Sequence, residues 1–146
     1  MRFNAHFVAF FLLAVIASVL TTIQMTSAQT ETATSKPRVF EIRTYTTLPG
    51  RLDALQARFR DHTTKLFEKH GIQNIGYWTP TDEPRSKDTL IYIVAHPSRE
   101  AAKKNWESFV NDPEWQKTRD ASEKDGPIVS KMESVYLEPT DYSPIK

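Results

Sequence analysis

Glu41, Arg43 and Tyr45 occupy every second position of the segment Val39-Phe40-Glu41-Ile42-Arg43-Thr44-Tyr45. Alternate positions of a strand share a face, so an acid, a guanidinium and a phenol fall in one row opposite Phe40, Ile42 and Thr44. Such a row can do two things. It can grip an anionic or carbonyl group through Arg43 and Tyr45. It can also close on itself as a Glu41–Arg43 ion pair that fixes geometry, since a buried guanidinium must be paired. If Phe40 and Ile42 meet the helices, the polar row is expected to point away from them, into a cavity on the other side of the sheet.

His62 falls at the spacing of an apolar helical stripe, Leu52, Leu55, Phe59, His62 and Leu66. A histidine there is either a satisfied core residue or the rim of a pocket. His70 lies in the last turn of the same helix, where the dipole favours a cation. Neither these nor His96 shows the H-x-x-x-H or His–carboxylate spacing of a metal site, so no metal is expected. Tyr77 and Trp78 are adjacent on a strand and must point to opposite faces, so only one of them can line the cavity. Gly76 beside them predicts a bulge or the close approach of another group. The candidate ligand site is therefore Glu41, Arg43, Tyr45 and His62, with Tyr77 or Trp78. The chain contains no G-x-S-x-G motif, no cysteine and no Gly-rich phosphate loop, so no catalytic residue is assigned.

The elements that must position these residues follow from periodicity and breakers. A strand is expected over Arg38–Thr46 and a helix from about Arg51 to His70, stopped by Gly71. Strands follow over Ile72–Thr79 and Asp88–His96, separated by a solvated loop with two prolines. Ser98 is placed to cap a helix whose buried stripe is Ala102, Trp106, Phe109 and Val110. Asp112-Pro113 starts a separate short helix anchored by Trp115. Gly126-Pro127 ends it, and a fourth strand is expected over Met132–Glu138. This order is the ferredoxin-like βαββαβ arrangement of an α+β protein, with helices on one face of a four-stranded antiparallel sheet. The bare face needs a cover, and a second copy of the chain supplies the simplest one, so a homodimer is expected.

The chain also carries an address. Arg2 precedes an uncharged apolar run, Phe7 to Leu20, and Thr26-Ser27-Ala28 offers a cleavage position. That layout is a secretory signal peptide over residues 1–28, cut after Ala28, and implies a secreted or periplasmic protein without stable membrane insertion. Residues 29–37 read as a disordered linker, residues 38–138 as the folded domain and residues 139–146 as an irregular tail. Of the 19 basic residues only Arg2 leaves with the signal, so the remainder is balanced against 18 acidic ones. Such a balance gives no footprint for nucleic acid. Without cysteine, an exported domain must rely on its core.

The Val39–Tyr45 row, Pro49-Gly50, Gly76-Tyr77-Trp78 and Asp112-Pro113-Glu114-Trp115, in this order and at these distances, resemble the NIPSNAP family. The resemblance spans nearly all of Arg38–Leu137 and implies a dimeric α/β barrel, two such sheets packed face to face. Similar dimeric barrels include cofactor-free oxygenases of the antibiotic-biosynthesis monooxygenase type, and haem-using relatives. Haem needs an axial ligand, and the two late helices contain no histidine, so no cofactor is expected. Three readings stand: a dimer binding a small molecule in its barrel cavity, a cofactor-independent monooxygenase-like enzyme, and a non-catalytic protein–protein interaction module.

Overall fold

Strand β1 (Val39–Thr47) is built from β-branched and aromatic residues that suit a pleated, half-buried surface. Its partners come from far along the chain in a computed structural model that describes residues 38–146. It pairs antiparallel with β3 (Thr89–His96) on one side and β4 (Val129–Leu137) on the other, while β2 (Gln73–Trp78) lines the far edge of β3. The sheet order β2-β3-β1-β4 is that of the ferredoxin-like α+β fold. The expected signal peptide and linker lie outside the described residues.

Between β1 and β2 the chain forms α1 (Leu52–Arg58), a π-helical turn (Phe59–Thr63) and α2 (Thr64–Lys69). Gly71, at φ +71°, adopts the left-handed conformation that stops the last of these. After β3 come α3 (Arg99–Val110) and α4 (Pro113–Ser122). Their starts match the sequence signals. Ser98 accepts a hydrogen bond from the Ala101 amide at 3.1 Å, and Asp112 accepts one from the Glu114 amide at 2.8 Å.

Outside β1, three features differ from expectation. β4 begins at Val129 rather than Met132, because the Ile128 carbonyl accepts from the Leu48 amide and a bulge lets Thr47 pair with Val129. Val110 is exposed, since the stripe of α3 that reaches the core ends at Phe109. The long helix is not uniform, and its π turn matters below.

The helix-covered face of the sheet carries the core. Leu55, Phe59, Leu66 and Phe67 close over Leu90, Tyr92 and Val94, with Phe109 and Ile128 completing the cluster. Each such side chain contributes about 1.5–3 kcal/mol through burial. The rings interlock edge to face, Phe67 meeting Phe109 at 4.9 Å and Trp106 at 5.2 Å. The opposite face is open. The register puts Ile42 with Ile93 and Val135, and Trp78 with Ile91, on that side.

Candidate functional site

The β1 polar row faces the helices. This reverses the expected orientation, in which Phe40 and Ile42 met the helices and the row pointed out of the other face. Helix-side partners decide the matter. Glu41 is fully buried and accepts from Trp106 Nε1 of α3 at 2.7 Å, Ser134 Oγ of β4 at 2.7 Å and Arg43 Nε at 2.7 Å. The Arg43 guanidinium lies 3.6 Å above the Trp106 ring. Phe40, on the open side, is buried instead by Arg38 and by the C-terminal residues.

Burial alone would raise the Glu41 pKa. His96, the Ser134 hydroxyl and the Arg43 charge outweigh that cost and hold it at about 2. His96 is buried beside the carboxylate, its Nε2 3.5 Å from Glu41 Oε2, an electrostatic contact too long to be a good hydrogen bond. His96 Nε2 has no hydrogen-bond partner. Arg43 is correspondingly held as a cation: burial opposes its charge, but the neighbouring Tyr92, Tyr45 and Glu41 raise its pKa. From Arg43 the polar chain continues to the Tyr45 hydroxyl at 3.4 Å, which accepts from Tyr92 at 3.1 Å. Desolvation first, and Tyr45 second, raise the Tyr92 pKa well above its ordinary value.

Tyr45 also lines a cavity of about 190 Å³ between the sheet and the helices. Met132 joins it on the sheet side, while Phe59, Phe67, Phe109 and Trp115 supply aromatic walls. Arg58, Arg119 and Glu123 make the polar part of the lining. Arg58 is buried, its Nη1 3.0 Å from Glu123 and 3.2 Å from the Ser122 hydroxyl, and its guanidinium carbon 5.4 Å from the Trp115 ring. Its Nε is buried without a partner. Immediately after Arg58 the helix widens into the π turn, and Thr63 Oγ1 donates to the Arg58 carbonyl at 3.1 Å. Single π turns of this kind often sit at functional sites.

That turn explains why His62 is not in the site. It inserts one residue into the helical stripe, so Thr63 takes the inward position and His62 turns to solvent. His62 therefore borders the outer α1–α4 surface and not the cavity that Tyr45 lines. Tyr77 and Trp78 do split between faces. Tyr77 pairs with Tyr92 on the helix side and meets Phe59 at 5.7 Å. Trp78 pairs with Ile91 on the open side and folds back over Gly76, where a Cβ would come within 2.5 Å of the ring. Both the expected bulge, between Asn74 and Gly76, and the close approach are present. The six candidates thus do not share one cavity. Tyr45 lines it, Arg43 reaches it through Tyr45 and Met132, Glu41 anchors Arg43, and His62, Tyr77 and Trp78 border other surfaces.

Arg58 and Arg119 were not legible as site residues. The one signal for Arg58 is its place one turn after Leu55, adjacent to Phe59 in the stripe. A second cluster also forms only in three dimensions. His70 Nδ1 lies 2.7 Å from Ser108 Oγ and its Nε2 2.6 Å from Asp112 Oδ2, while Lys69 meets the same carboxylate at 2.8 Å. Lys69 first, then His70, hold the Asp112 carboxyl well below its usual range. This cluster ties α2 to the α3–α4 junction.

A family model described as NIPSNAP matches residues 40–144. A NIPSNAP-like domain protein from Burkholderia xenovorans is 18% identical, over 75% of this chain and 90% of that one, with a TM-score of 0.65. A NIPSNAP family protein from Agrobacterium tumefaciens is 21% identical, over 76% of this chain and 96% of that one, also at 0.65. Another from the same organism is 20% identical, over 75% and 99%, at 0.65. Identities at this level carry the fold alone. No curated protein matches the chain by sequence.

Proposed function

The chain belongs to the NIPSNAP family, and from that premise we propose that it binds a small, largely apolar anion between its sheet and its helices. The observation that carries this reading is the aromatic cavity of about 190 Å³ joined to a buried guanidinium, Arg58, whose Nε has no partner. Native structures seldom leave such a donor unsatisfied, because it costs about 1–3 kcal/mol. An acceptor on a ligand removes that cost. The cavity is smaller than most drug-sized pockets, about 300–1,000 Å³, so a one-ring or short-chain carboxylate is the class that fits. A wider hollow of about 340 Å³ on the open face, between Phe40, Ile93 and Ile145, is mostly apolar, and its one charged lining residue, Glu138, would repel an anion.

Calorimetry of the purified protein with benzoate, phenylacetate and their uncharged alcohols tests the proposal. Saturable binding of the acids, weakened tenfold or more by Trp115→Ala, is expected. If none of the four probes binds at millimolar concentration, the proposal fails.

The open face supports a second part of the proposal, that the protein acts as a homodimer. Trp78 and Val135 are 51% and 55% exposed there, beside the half-buried Ile42, Ile91 and Ile93. Contiguous apolar surface of this kind usually marks an interface. Packing two copies by this face leaves both cavities, which lie on the helix side, unobstructed. The apolar N-terminal segment is proposed to export the protein. N-terminal sequencing of the protein from its own host is expected to begin at Gln29, and a retained Met1 in the cytosol would refute export.

A further inference from the structure

The Tyr45 hydroxyl is an acceptor twice over. Arg43 Nη1 lies 3.4 Å away, and a guanidinium only donates. Tyr92 lies 3.1 Å away and is fully buried, and among the described residues its proton has no acceptor other than Tyr45. Turning that bond round would strand the Tyr92 proton in the core, which buried donors avoid. Both lone pairs of the Tyr45 oxygen are therefore taken, and its own proton is left over. That proton has no acceptor among the described residues. The space beside it is the aromatic cavity, which Tyr45 lines from the sheet.

The groups behind the hydroxyl are held in place. Glu41 holds Arg43 Nε at 2.7 Å, and the Trp106 ring lies 3.6 Å from the guanidinium carbon. The Tyr92 ring stacks with Tyr77 at 5.5 Å. Tyr45 is packed edge-on between Tyr92 at 5.3 Å and Phe59 at 6.1 Å, which fixes where its oxygen sits. A cation behind a phenol also strengthens it as a donor, by stabilising the charge that builds on the oxygen.

Resting on the proposed binding function, we propose that Tyr45 selects, among small apolar acids, those that carry an uncharged carbonyl as a second acceptor. The preferred class is then an aromatic keto acid. Its carbonyl oxygen accepts a hydrogen bond from Tyr45, and no proton is transferred. A hydrocarbon group of the same shape leaves the phenol unpaired beside it and is disfavoured, as for any site built to hydrogen-bond its ligand. A second carboxylate fits less well, because the charge of Arg43 is already balanced by Glu41.

Calorimetry with the ring isomers of acetylbenzoate and the matching isopropenylbenzoates, which exchange a carbonyl oxygen for a methylene, tests this. In the wild type at least one acetyl isomer is expected to bind about fivefold or more tighter than its isopropenyl counterpart. In Tyr45→Phe that preference is expected to vanish, while benzoate affinity changes by about twofold or less. Infrared spectra of the wild-type complex give a readout that does not depend on how the variant folds. The ketone stretch of the bound acetyl isomer is expected at lower frequency than in an apolar solvent. Equal affinities within every pair, or an unshifted ketone stretch, would overturn the proposal. So would a preference that survives in Tyr45→Phe, since another group would then be the donor. If the wild type binds none of these acids, benzoate included, the binding function itself is what fails.

Discussion

Replacing Glu41 with alanine is expected to lower the unfolding free energy by roughly 3–5 kcal/mol, the cost of removing one partner from a buried ion pair. Domains of this size have only about 5–15 kcal/mol in total, so the variant sits near the limit of folding. The reason is how much the carboxylate holds together. It is the shared acceptor for Arg43, Trp106 and Ser134, and among the described residues the only anion facing buried His96. Without it a guanidinium, an indole N–H and an imidazole are left in a dry place. Glu41→Gln keeps the shape and one acceptor oxygen and should cost less, about 1–3 kcal/mol. Urea denaturation of the three proteins gives the comparison, and a loss below 1 kcal/mol in the alanine variant would show that the cluster does not act as a unit.

The same residue gives the protein an acid limb. The Glu41 carboxyl has an ordinary pKa of 4.5 and a folded value of about 2. A depressed folded pKa means stability that is present above the unfolded value and is lost as the pH falls through the folded one. The window is therefore pH 4.5 down to 2, and at roughly 1.4 kcal/mol per pKa unit the amount is about 3 kcal/mol. Glu41→Gln should flatten that part of the profile relative to the wild type. Asp112 contributes its own acid limb through Lys69 and His70, and that part should persist in the variant. Parallel profiles for the two proteins would assign the whole acid loss to groups other than Glu41.

Val135→Asp is expected to convert a dimer into a monomer. Val135 is 55% exposed on the open face and pairs with Ile42 across β4 and β1. In a single copy the substitution touches mostly water and should leave the secondary structure intact. In a face-to-face pair it buries two unpaired carboxylates, at several kcal/mol. At about 1.4 kcal/mol per tenfold, that weakens dimerisation a thousandfold or more. Light scattering at micromolar concentration should give twice the chain mass for the wild type and one chain mass for the variant. A wild type that is already monomeric would dispose of the homodimer.

Some of this molecule is written locally. The alternation of Val39–Tyr45, the caps at Ser98 and Asp112-Pro113, and the stop at Gly71 are signals read within four or five residues. Each depends on backbone geometry and near-neighbour hydrogen bonds, and together they give the element order of a ferredoxin-like domain. The Gly76 bulge and the split of Tyr77 from Trp78 belong to the same class, because strand alternation fixes them.

What meets across the fold was not legible in this way. Both rows of β1 contain bulky residues, so alternation says that Glu41, Arg43 and Tyr45 share a face but not which face. Trp106, 65 residues further on, decides it by donating to Glu41. The π turn moves Thr63 inward and His62 outward, a one-residue shift that no helical periodicity of 3.6 anticipates. Arg58 reads as an ordinary surface cation in sequence and becomes a buried, cavity-lining one only when α4 and its C-terminal cap bring Trp115, Ser122 and Glu123 beside it. The sequence by itself determined the elements and their order, because those follow from local backbone preferences. The tertiary structure alone decided the site, because burial, pairing and cavity shape are properties of residues that only folding brings together.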